Sequence, residues 1–366
     1  MARRTLVIGG TGPTGRWVVE GLLDSGDAVT ILHGGQHEVD FSRPVEHLHA
    51  DVHFVETLTA ALAGRDFDVV VAMYGRTRLL AEVLAGRTAR LVAIGGSAYS
   101  RDETRHGPLG APAVLDEHAP MVDDPNGPRL QHKVWLTEQA LLGAHAAGAF
   151  AVTVLRYPPV VYGPGALAPR DWSVVRRILD GRARILVAHG GTTVRSRVYA
   201  ANAARAVLLA VAEPSAAGQI YNVADDEQHS EGQLIQYVAG LLGRQVELVG
   251  VPGEIATKVY RHVDSSHQTR LLDTGKIRRE LGYSDAVAVP AALAATVEWL
   301  QRNPLPPGGE AEQQLGDPFD YALEDRIAQE YGEVLARTST LESVPGVAGH
   351  MYRHPTRPGE GWRSPS

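Results

Sequence analysis

A glycine-rich turn near the start of the chain has residue types and a spacing that suit phosphate binding. In GGTGPTG (9–15), Gly9, Gly12 and Gly15 stand three residues apart, between an apolar run and a helical pattern. Such a turn lets the backbone approach a pyrophosphate at the N-terminus of a helix, where free N–H groups and the helix dipole favour negative charge. The pattern therefore predicts a dinucleotide site. The loop residues expected to touch the cofactor are Gly9, Thr11, Gly12, Pro13, Thr14 and Gly15.

The elements that must position this turn alternate between strands and helices. Continuous apolar strands separated by amphipathic helices indicate a parallel sheet that is covered on both faces. The sequence therefore predicts an α/β fold with a doubly wound parallel sheet. Strands are predicted at 5–10, 28–33, 67–75, 90–97 and 150–157, and helices at 15–26, 77–86, 132–148, 171–181, 230–243, 273–283 and 292–303.

Composition narrows the class of protein. Of the 366 residues, 44% are hydrophobic, so a full core can be buried, and the formal charge of −7 argues against nucleic acid as a partner. The chain has no cysteine, which excludes disulfides and thiolate chemistry. No apolar run approaches the roughly 20 residues of a membrane helix. We expect a cytoplasmic protein that binds a small molecule and has no membrane partner.

The end of the second predicted strand bears on the choice between the two nicotinamide cofactors. An NAD site places an acidic residue there to bind the ribose hydroxyls, whereas this strand ends in His33 and Gly34. With no carboxylate predicted to repel a 2′-phosphate, NADP(H) is favoured slightly over NAD(H). Arg43 or Arg76 would have to turn inward to clamp that phosphate. Asp51 is a candidate partner for the adenine amino group.

The chain resembles the extended short-chain dehydrogenase/reductases of the NAD-dependent epimerase/dehydratase family from residue 5 to about 303. The resemblance implies a Rossmann domain and a smaller C-terminal substrate domain, with the ligand between them. The segments that carry it are GGTGPTG (9–15), IGGSAY (94–99), KVWLTEQALL (133–142), LRYPPVVYGPG (155–165), RVYAANAARAV (197–207), IYNVAD (220–225) and DTGKIRRELGY (273–283).

The resemblance also implies three catalytic groups. Ser97 matches the residue that binds the substrate oxygen, and Lys133 matches the lysine that holds the nicotinamide ribose and lowers the pKa of a tyrosine. That tyrosine is missing, because Arg129 stands four residues before the lysine, and arginine cannot donate a proton at neutral pH. Tyr99 is the first candidate to replace it. His132 or a group of the substrate is an alternative, as is loss of the redox step.

The segment RYPPVVYGPG (156–165) is expected to line the nicotinamide ring, because in the family this strand end meets that ring. Tyr157 and Pro158 would pack near it, and Tyr157 is a second candidate proton donor. Tyr74 is also expected to contact the cofactor. Relatives that act on sugar nucleotides hold the diphosphate with arginines, a role that Arg195 and Arg270 match in this sequence.

The resulting domain hypothesis has three parts. Residues 1–165, to which 196–225 return, form the dinucleotide-binding domain, and 166–195 with 226–303 form the substrate domain. Residues 304–366 form an extension, with a linker and a helix at 317–337 that Asp317 caps. The apolar face of that helix is expected to cover the substrate cleft or a neighbouring subunit of a homodimer.

These observations predict an NAD(P)-dependent oxidoreductase that transfers hydride at a carbinol or ketone carbon of a polar metabolite or sugar nucleotide. One alternative is a redox-neutral epimerase, dehydratase or lyase with a retained cofactor. Another is an NAD(P)-binding regulator without turnover. The 15 histidines show no spacing typical of a metal site, so no metal is expected.

Overall fold

The structure is a computed structural model that describes residues 2–73, 77–100, 113–166, 169–260 and 268–342. It divides the chain into two compact units, residues 1–321 and 322–366. The strands are β1 (Arg4–Ile8), β2 (Ala28–His33), β3 (Glu46–His49), β4 (Phe67–Ala72), β5 (Thr88–Gly96), β6 (Val114–Leu115), β7 (Ala151–Tyr157), β8 (Val160–Tyr162), β9 (Arg184–Ala188), β10 (Arg197–Tyr199), β11 (Ile220–Asn222), β12 (Glu247–Val251) and β13 (Leu271–Leu272). The α-helices are α1 (Pro13–Asp24), α2 (Val55–Ala61), α3 (Leu80–Val83), α4 (Arg129–Ala146), α5 (Trp172–Leu179), α6 (Ala200–Ala212), α7 (Glu231–Leu241), α8 (Gly253–Val259), α9 (Gly275–Leu281), α10 (Val289–Arg302), α11 (Glu310–Gln314) and α12 (Tyr321–Ser339).

A seven-stranded sheet with the order β11-β7-β5-β4-β1-β2-β3 is the centre of the first unit. Every neighbouring pair in it is parallel. The order reverses at β1, so that the carboxyl ends of β1 and β4 flank a crevice, which is where open α/β sheets bind ligands. The predicted α/β fold with a doubly wound parallel sheet is confirmed.

Both faces of the sheet are buried, because alternate residues of each strand belong to different apolar clusters. Val7 and Ile31 pack with α1 and α6 on one face, whereas Leu6 and Leu32 pack with α2, α3 and α4 on the other. Burying each such side chain stabilises the fold by about 1.5–3 kcal/mol. Helix α6 packs against α1, and β11 extends the sheet beyond β7, so the chain returns to the sheet after residue 196.

A smaller cluster lies beyond the carboxyl end of β7. Helices α5, α7 and α10 pack with β9 around Trp172, Ile235 and Leu300. Three two-stranded pairings form outside the main sheet, β8 with β10, β9 with β12 and β6 with β13, and the β9–β12 pair lies in this cluster. The cluster therefore holds α5 and α7 opposite the ends of β5 and β7.

Several elements differ from the sequence prediction. The helix predicted at 77–86 contains a 3₁₀ turn and the one-turn helix α3. Strand β3 and helix α2 were not predicted, since EHLH shows no apolar run. The last helix begins at Tyr321 and not at Asp317, because both carboxylate oxygens of Asp317 bind the guanidinium of Arg177.

The segment after Pro304 is also more integrated than a linker. The carboxylate of Glu312, in α11, accepts hydrogen bonds from the Trp172 indole nitrogen and pairs with Arg176 at 2.5 Å. Asp317 binds the next residue of α5, Arg177. Residues 305–321 therefore belong to the first compact unit. Among the described helices, none combines the length and the apolar character that a membrane span requires.

Candidate functional site

The glycine turn joins β1 to α1 in the conformation that its sequence suggests. Gly9 and Gly10 have φ angles of 106° and 91°, a region that side chains strongly disfavour. A Cβ on Gly15 would lie 2.5 Å from the Gly10 backbone, so only glycine lets α1 approach the turn this closely. Gly12 is the N-cap of α1, and no heavy atom would lie within 4 Å of a Cβ there. The turn therefore leaves open space beside Gly12, at the N-terminus of the helix.

A cluster of three histidines and one carboxylate lies at the carboxyl end of β2. The Glu38 carboxylate is 2.8 Å from Nδ1 of His47, 2.9 Å from Nε2 of His49 and 3.7 Å from Nε2 of His33. Burial lowers the pKa of His33, although the Glu38 charge opposes the shift. The premise that no carboxylate stands at this strand end is wrong, because Glu38 folds back from the following loop.

Two other residues expected near the adenosine half of the cofactor, Arg43 and Asp51, bind neighbouring parts of the chain. Arg43 binds the Leu23 carbonyl and the Asp24 carboxylate, at the far end of α1 from the turn. The carboxylate of Asp51 accepts hydrogen bonds from the backbone and the ring of His53, ahead of α2. Tyr74 and Arg76 lie outside the described residues.

A cavity of about 220 Å³ opens at the carboxyl ends of β5 and β7, where β8 begins. Ser97, directly after β5, lies in its wall, and its backbone N–H donates to the Tyr157 carbonyl. Pro159 and Val160 of the RYPPVVYGPG segment also line it, beside α5 and α7. The cavity thus lies between the loops of the main sheet and the α5–α7–α10 cluster.

Tyr99 lines the same cavity, but its hydroxyl is occupied. It donates to Oδ1 of Asn222 at 2.5 Å and accepts from Nη1 of Arg156 at 2.9 Å. Burial raises the pKa of Tyr99, although the Arg156 charge opposes the shift. Arg156 is held in turn by both oxygens of the buried Glu138 carboxylate. This network already uses the hydroxyl, which argues against Tyr99 as the replacement for the missing proton donor.

Tyr157 is also unsuitable as a proton donor. Its hydroxyl donates to the Ala203 carbonyl at 2.8 Å, inside the apolar cluster between the sheet and α6. Burial alone raises its pKa far above the usual range of a phenol. The side chain of Tyr157 thus points into the core, whereas Pro159 and Val160 of the same segment line the cavity.

Helix α4 presents a different residue to the sheet than the one that the resemblance indicates. Lys133 is exposed, as is Arg129 one turn earlier. The side chain of Val134 lies about 3.8 Å from the position that a Cβ on Gly96 would take, and Glu138 and Leu141 are buried on the same side. His132 stacks on Trp135. The lysine is thus about 100° around the helix from the sheet-facing row.

The cavity is rich in positive charge. Its described lining includes five arginines and two carboxylates. The arginines are Arg170, Arg177, Arg195, Arg197 and Arg270, and the carboxylates are those of Asp171 and Glu231. Arg197 pairs with Asp171 at 2.7 Å. Arg195 and Arg270, the two predicted phosphate ligands, form a parallel bridge through their backbones, and Nη1 of Arg270 donates to the Ser100 carbonyl. The structure therefore brings both arginines together beside the loop that carries Ser97.

Some residues of this site were not found from the sequence. Glu231, in the first turn of α7, lines the cavity, and burial raises its pKa while Arg195 and Arg197 oppose the shift. His229 lies two residues earlier in the same wall. Arg156 was signalled by its charge inside an apolar strand, LRY, but its partners Glu138 and Tyr99 are distant in sequence and gave no local signal.

Part of the chain matches a known protein family. Residues 74–224 match the family described as the NAD dependent epimerase/dehydratase family. A dTDP-glucose 4,6-dehydratase of Streptomyces niveus is 29% identical over 214 residues, which are 55% of this chain and 58% of that protein. The chain spans little more than half the length of the curated relatives that it matches.

Solved structures show the same fold. A dTDP-glucose 4,6-dehydratase of Streptomyces venezuelae, solved with NAD and TYD bound, has a TM-score of 0.62 at 23% identity over 82% of this chain and 97% of its own. A UDP-glucose 4-epimerase of Thermotoga maritima, solved with UDP-glucose, has a TM-score of 0.64 at 18% identity over 82% and 99%. Together with the parallel sheet and its glycine turn, the match over residues 74–224 shows that this part of the chain is similar to the NAD-dependent epimerase/dehydratase family.

Proposed function

We propose that this chain is an NAD(H)-dependent enzyme that acts on a sugar nucleotide and returns the hydride to the same substrate, as an epimerase or dehydratase does. The observation that carries the proposal is the arginine-lined cavity, which begins at Ser97 beside the crevice of the sheet. The division into a dinucleotide-binding half and a substrate half is part of the same proposal. So is the assignment of the residues to roles.

Charge supports an anionic substrate. The planar guanidinium group suits bidentate binding of phosphate oxygens. With Arg177 paired to Asp317 and Arg197 to Asp171, the described wall still holds three further arginines against the Glu231 carboxyl. Two of these arginines, Arg195 and Arg270, come from adjacent backbone segments. A diphosphate bound there would place the attached sugar toward Ser97. The relatives named dTDP-glucose dehydratase and UDP-glucose epimerase suggest this substrate class.

The cofactor fits the glycine turn through backbone groups. The open space at Gly12 and the N-terminus of α1 suit a pyrophosphate. At the end of β2, the negative charge of Glu38 disfavours a 2′-phosphate as long as no cation is bound to this carboxylate, and Arg43 is held elsewhere. We therefore propose NAD(H) in place of the NADP(H) that the sequence favoured. When bound, the nicotinamide supplies the hydride acceptor.

Proton transfer needs a group other than Tyr99 or Tyr157. In the described wall of the cavity, His229 and the Glu231 carboxyl can exchange a proton, and Ser97 can bind the reacting oxygen. Glu231 also faces Arg195 and Arg197, so its charge additionally balances the phosphate subsite. We assign the proton transfer to this pair and the oxygen contact to Ser97.

A second function is favoured by the surroundings of α4. With Lys133 exposed and Val134 facing Gly96, the chain lacks the usual tyrosine–lysine pair on the sheet-facing side of the helix. A protein that binds NAD(H) and a sugar nucleotide without turnover, as a regulator, would tolerate this arrangement. The same experiment decides between the two functions.

The experiment is calorimetry followed by turnover on the full chain, with NAD⁺, NADP⁺, UDP-glucose and dTDP-glucose, in EDTA. We expect NAD⁺ to bind more tightly than NADP⁺, and the sugar nucleotide to change by NMR without accumulation of NADH. Arg195→Ala and Arg270→Ala should each weaken sugar-nucleotide binding about tenfold or more, which is 1.4 kcal/mol. Arg302→Ala, in an exposed pair with Glu298, is the matched control and should bind normally.

Two outcomes would change the proposal. Binding of both ligands with no product from the wild type indicates the regulator. No affinity for any sugar nucleotide, or equal binding by the arginine variants and the wild type, contradicts the phosphate role of the cavity. If turnover occurs, His229→Asn and Glu231→Gln should each lower kcat, because the proton transfer is assigned to both groups.

A further inference from the structure

The histidine cluster at the edge of the sheet has the composition of a metal site. His47 and His49 stand two residues apart on β3, so both side chains project from the same face. His33, at the end of the adjacent strand β2, is the register partner of His49 and projects from that face too. Glu38, in the connecting loop, completes the group. Strand geometry thus converges three imidazoles and one carboxylate on one point.

The distances between the four side chains suit a single ion. One ligand atom from each residue lies within 4.8 Å of the others. Nε2 of His33 is 3.3 Å from Nδ1 of His47, and 3.7 Å from Oε2 of Glu38. In a tetrahedral zinc site with bonds of about 2.0–2.1 Å, neighbouring ligand atoms are about 3.3 Å apart. Small rotations of the exposed His49 and Glu38 side chains would therefore complete the tetrahedron.

The chemistry of the donors selects the kind of ion. Imidazole nitrogens with one carboxylate favour Zn²⁺ and its transition-metal neighbours over Mg²⁺ or Ca²⁺, which prefer oxygen ligands. The rings also support one another, since His33 meets His49 edge to face at 4.8 Å and Phe41 packs on His47. We infer that His33, Glu38, His47 and His49 bind one Zn²⁺-like ion at the carboxyl end of β2.

One contact must change when the ion binds. Nδ1 of His33 now accepts a hydrogen bond from the Gly35 backbone N–H at 3.2 Å. Coordination through Nε2 places the imidazole proton on Nδ1, which then donates instead of accepting. The Gly35 N–H must turn away. Gly34 and Gly35 are both exposed, and Gly35 already has a φ of 74°, so this turn can adjust.

Direct metal binding tests the inference without any dinucleotide or sugar, so its result is independent of the proposed function. The untagged full chain, freed of metal with EDTA, is titrated with Zn²⁺ by calorimetry and with Co²⁺ by visible absorption. We expect one equivalent of Zn²⁺ and the d–d absorption of tetrahedral Co²⁺. The Gly35 amide should shift in the NMR spectrum as Zn²⁺ is added.

Variants identify the ligands. His47→Ala and Glu38→Gln, both at partly or fully exposed positions, should each weaken Zn²⁺ binding by about 100-fold or more, and thermal unfolding checks that they fold. His53→Ala is the matched control, because that exposed histidine also lies 2.8 Å from a carboxylate oxygen, on Asp51. The inference is overturned if no saturable binding occurs, or if His53→Ala weakens binding as much as His47→Ala does.

Discussion

The glycine turn and the arginine cavity are built on opposite principles. The turn uses backbone groups at the N-terminus of α1, within seven consecutive residues. The cavity uses charged side chains from loops and helices that are far apart in the sequence. Arg270, for example, donates to the carbonyl of Ser100, 170 residues away. A backbone site depends on local conformation, whereas a side-chain site depends on many buried partners. The two sites should therefore fail differently when mutated.

The largest effect is expected where the cavity wall depends on a buried ion pair. Asp317→Ala leaves the Arg177 guanidinium, which is fully buried, without its bidentate carboxylate. Removing one partner of such a pair typically costs about 3–5 kcal/mol. Urea unfolding measures the loss. Glu298→Ala, in the exposed pair with Arg302, is the control and should cost about 0.5 kcal/mol or less. Equal losses of unfolding free energy in both variants would show that the buried ion pair stabilises the protein no more than the exposed one does.

Two substitutions in the glycine turn should separate its role in folding from its role in cofactor binding. Gly15→Ala forces a Cβ to 2.5 Å from the Gly10 backbone and should cost about 1–3 kcal/mol of unfolding free energy or more. Gly12→Ala meets nothing within 4 Å, so its stability should hardly change. Its methyl group instead stands where a pyrophosphate would approach, and NAD⁺ affinity should fall about tenfold or more. Unchanged affinity in a folded Gly12→Ala protein would contradict this position of the phosphates.

Tyr99→Phe distinguishes a proton donor from a structural group. The change removes hydrogen bonds to Arg156 and Asn222 inside a buried network. We expect a loss of about 1–3 kcal/mol in unfolding free energy, with kcat lowered less than tenfold at temperatures where the variant is folded. A stable variant whose kcat falls by orders of magnitude would restore Tyr99 as the proton donor.

The smallest effect concerns pH. Burial raises the pKa of Asp285 to about 7 from 3.8, and its neighbours Asp225 and Asp226 add to the shift. The folded state thus binds this proton more tightly than the unfolded state, so stability falls as the pH rises from about 4 to 7. Asp285→Asn should be more stable than the wild type above pH 7 by about 1 kcal/mol, since Asp285 is only half-buried. Below pH 4 the two should unfold alike, and a constant difference across this range would contradict the assignment.

The sequence predicted the fold better than the site. Continuous apolar runs signalled most strands of the main sheet, and apolar residues at helical spacing signalled most of its helices, because burial acts on residues that are close in sequence. Strand β3 was missed because two of its four residues, His47 and His49, are histidines and leave no apolar run. Both belong to the cluster with His33 and Glu38. The predicted helix start at Asp317 was wrong for a similar reason. The capping pattern is local, whereas the Asp317 carboxylate binds the buried Arg177, 140 residues away.

What the sequence determined by itself is the start of the main sheet: a glycine turn, the strand before it and the helix after it lie within a few residues of one another. The tertiary structure alone decided which hydroxyls and charges face a ligand. It placed Tyr99 and Tyr157 in hydrogen bonds, left Lys133 exposed, and brought His33, Glu38 and His47 together. Side-chain direction depends on packing between distant segments, and no local pattern records it.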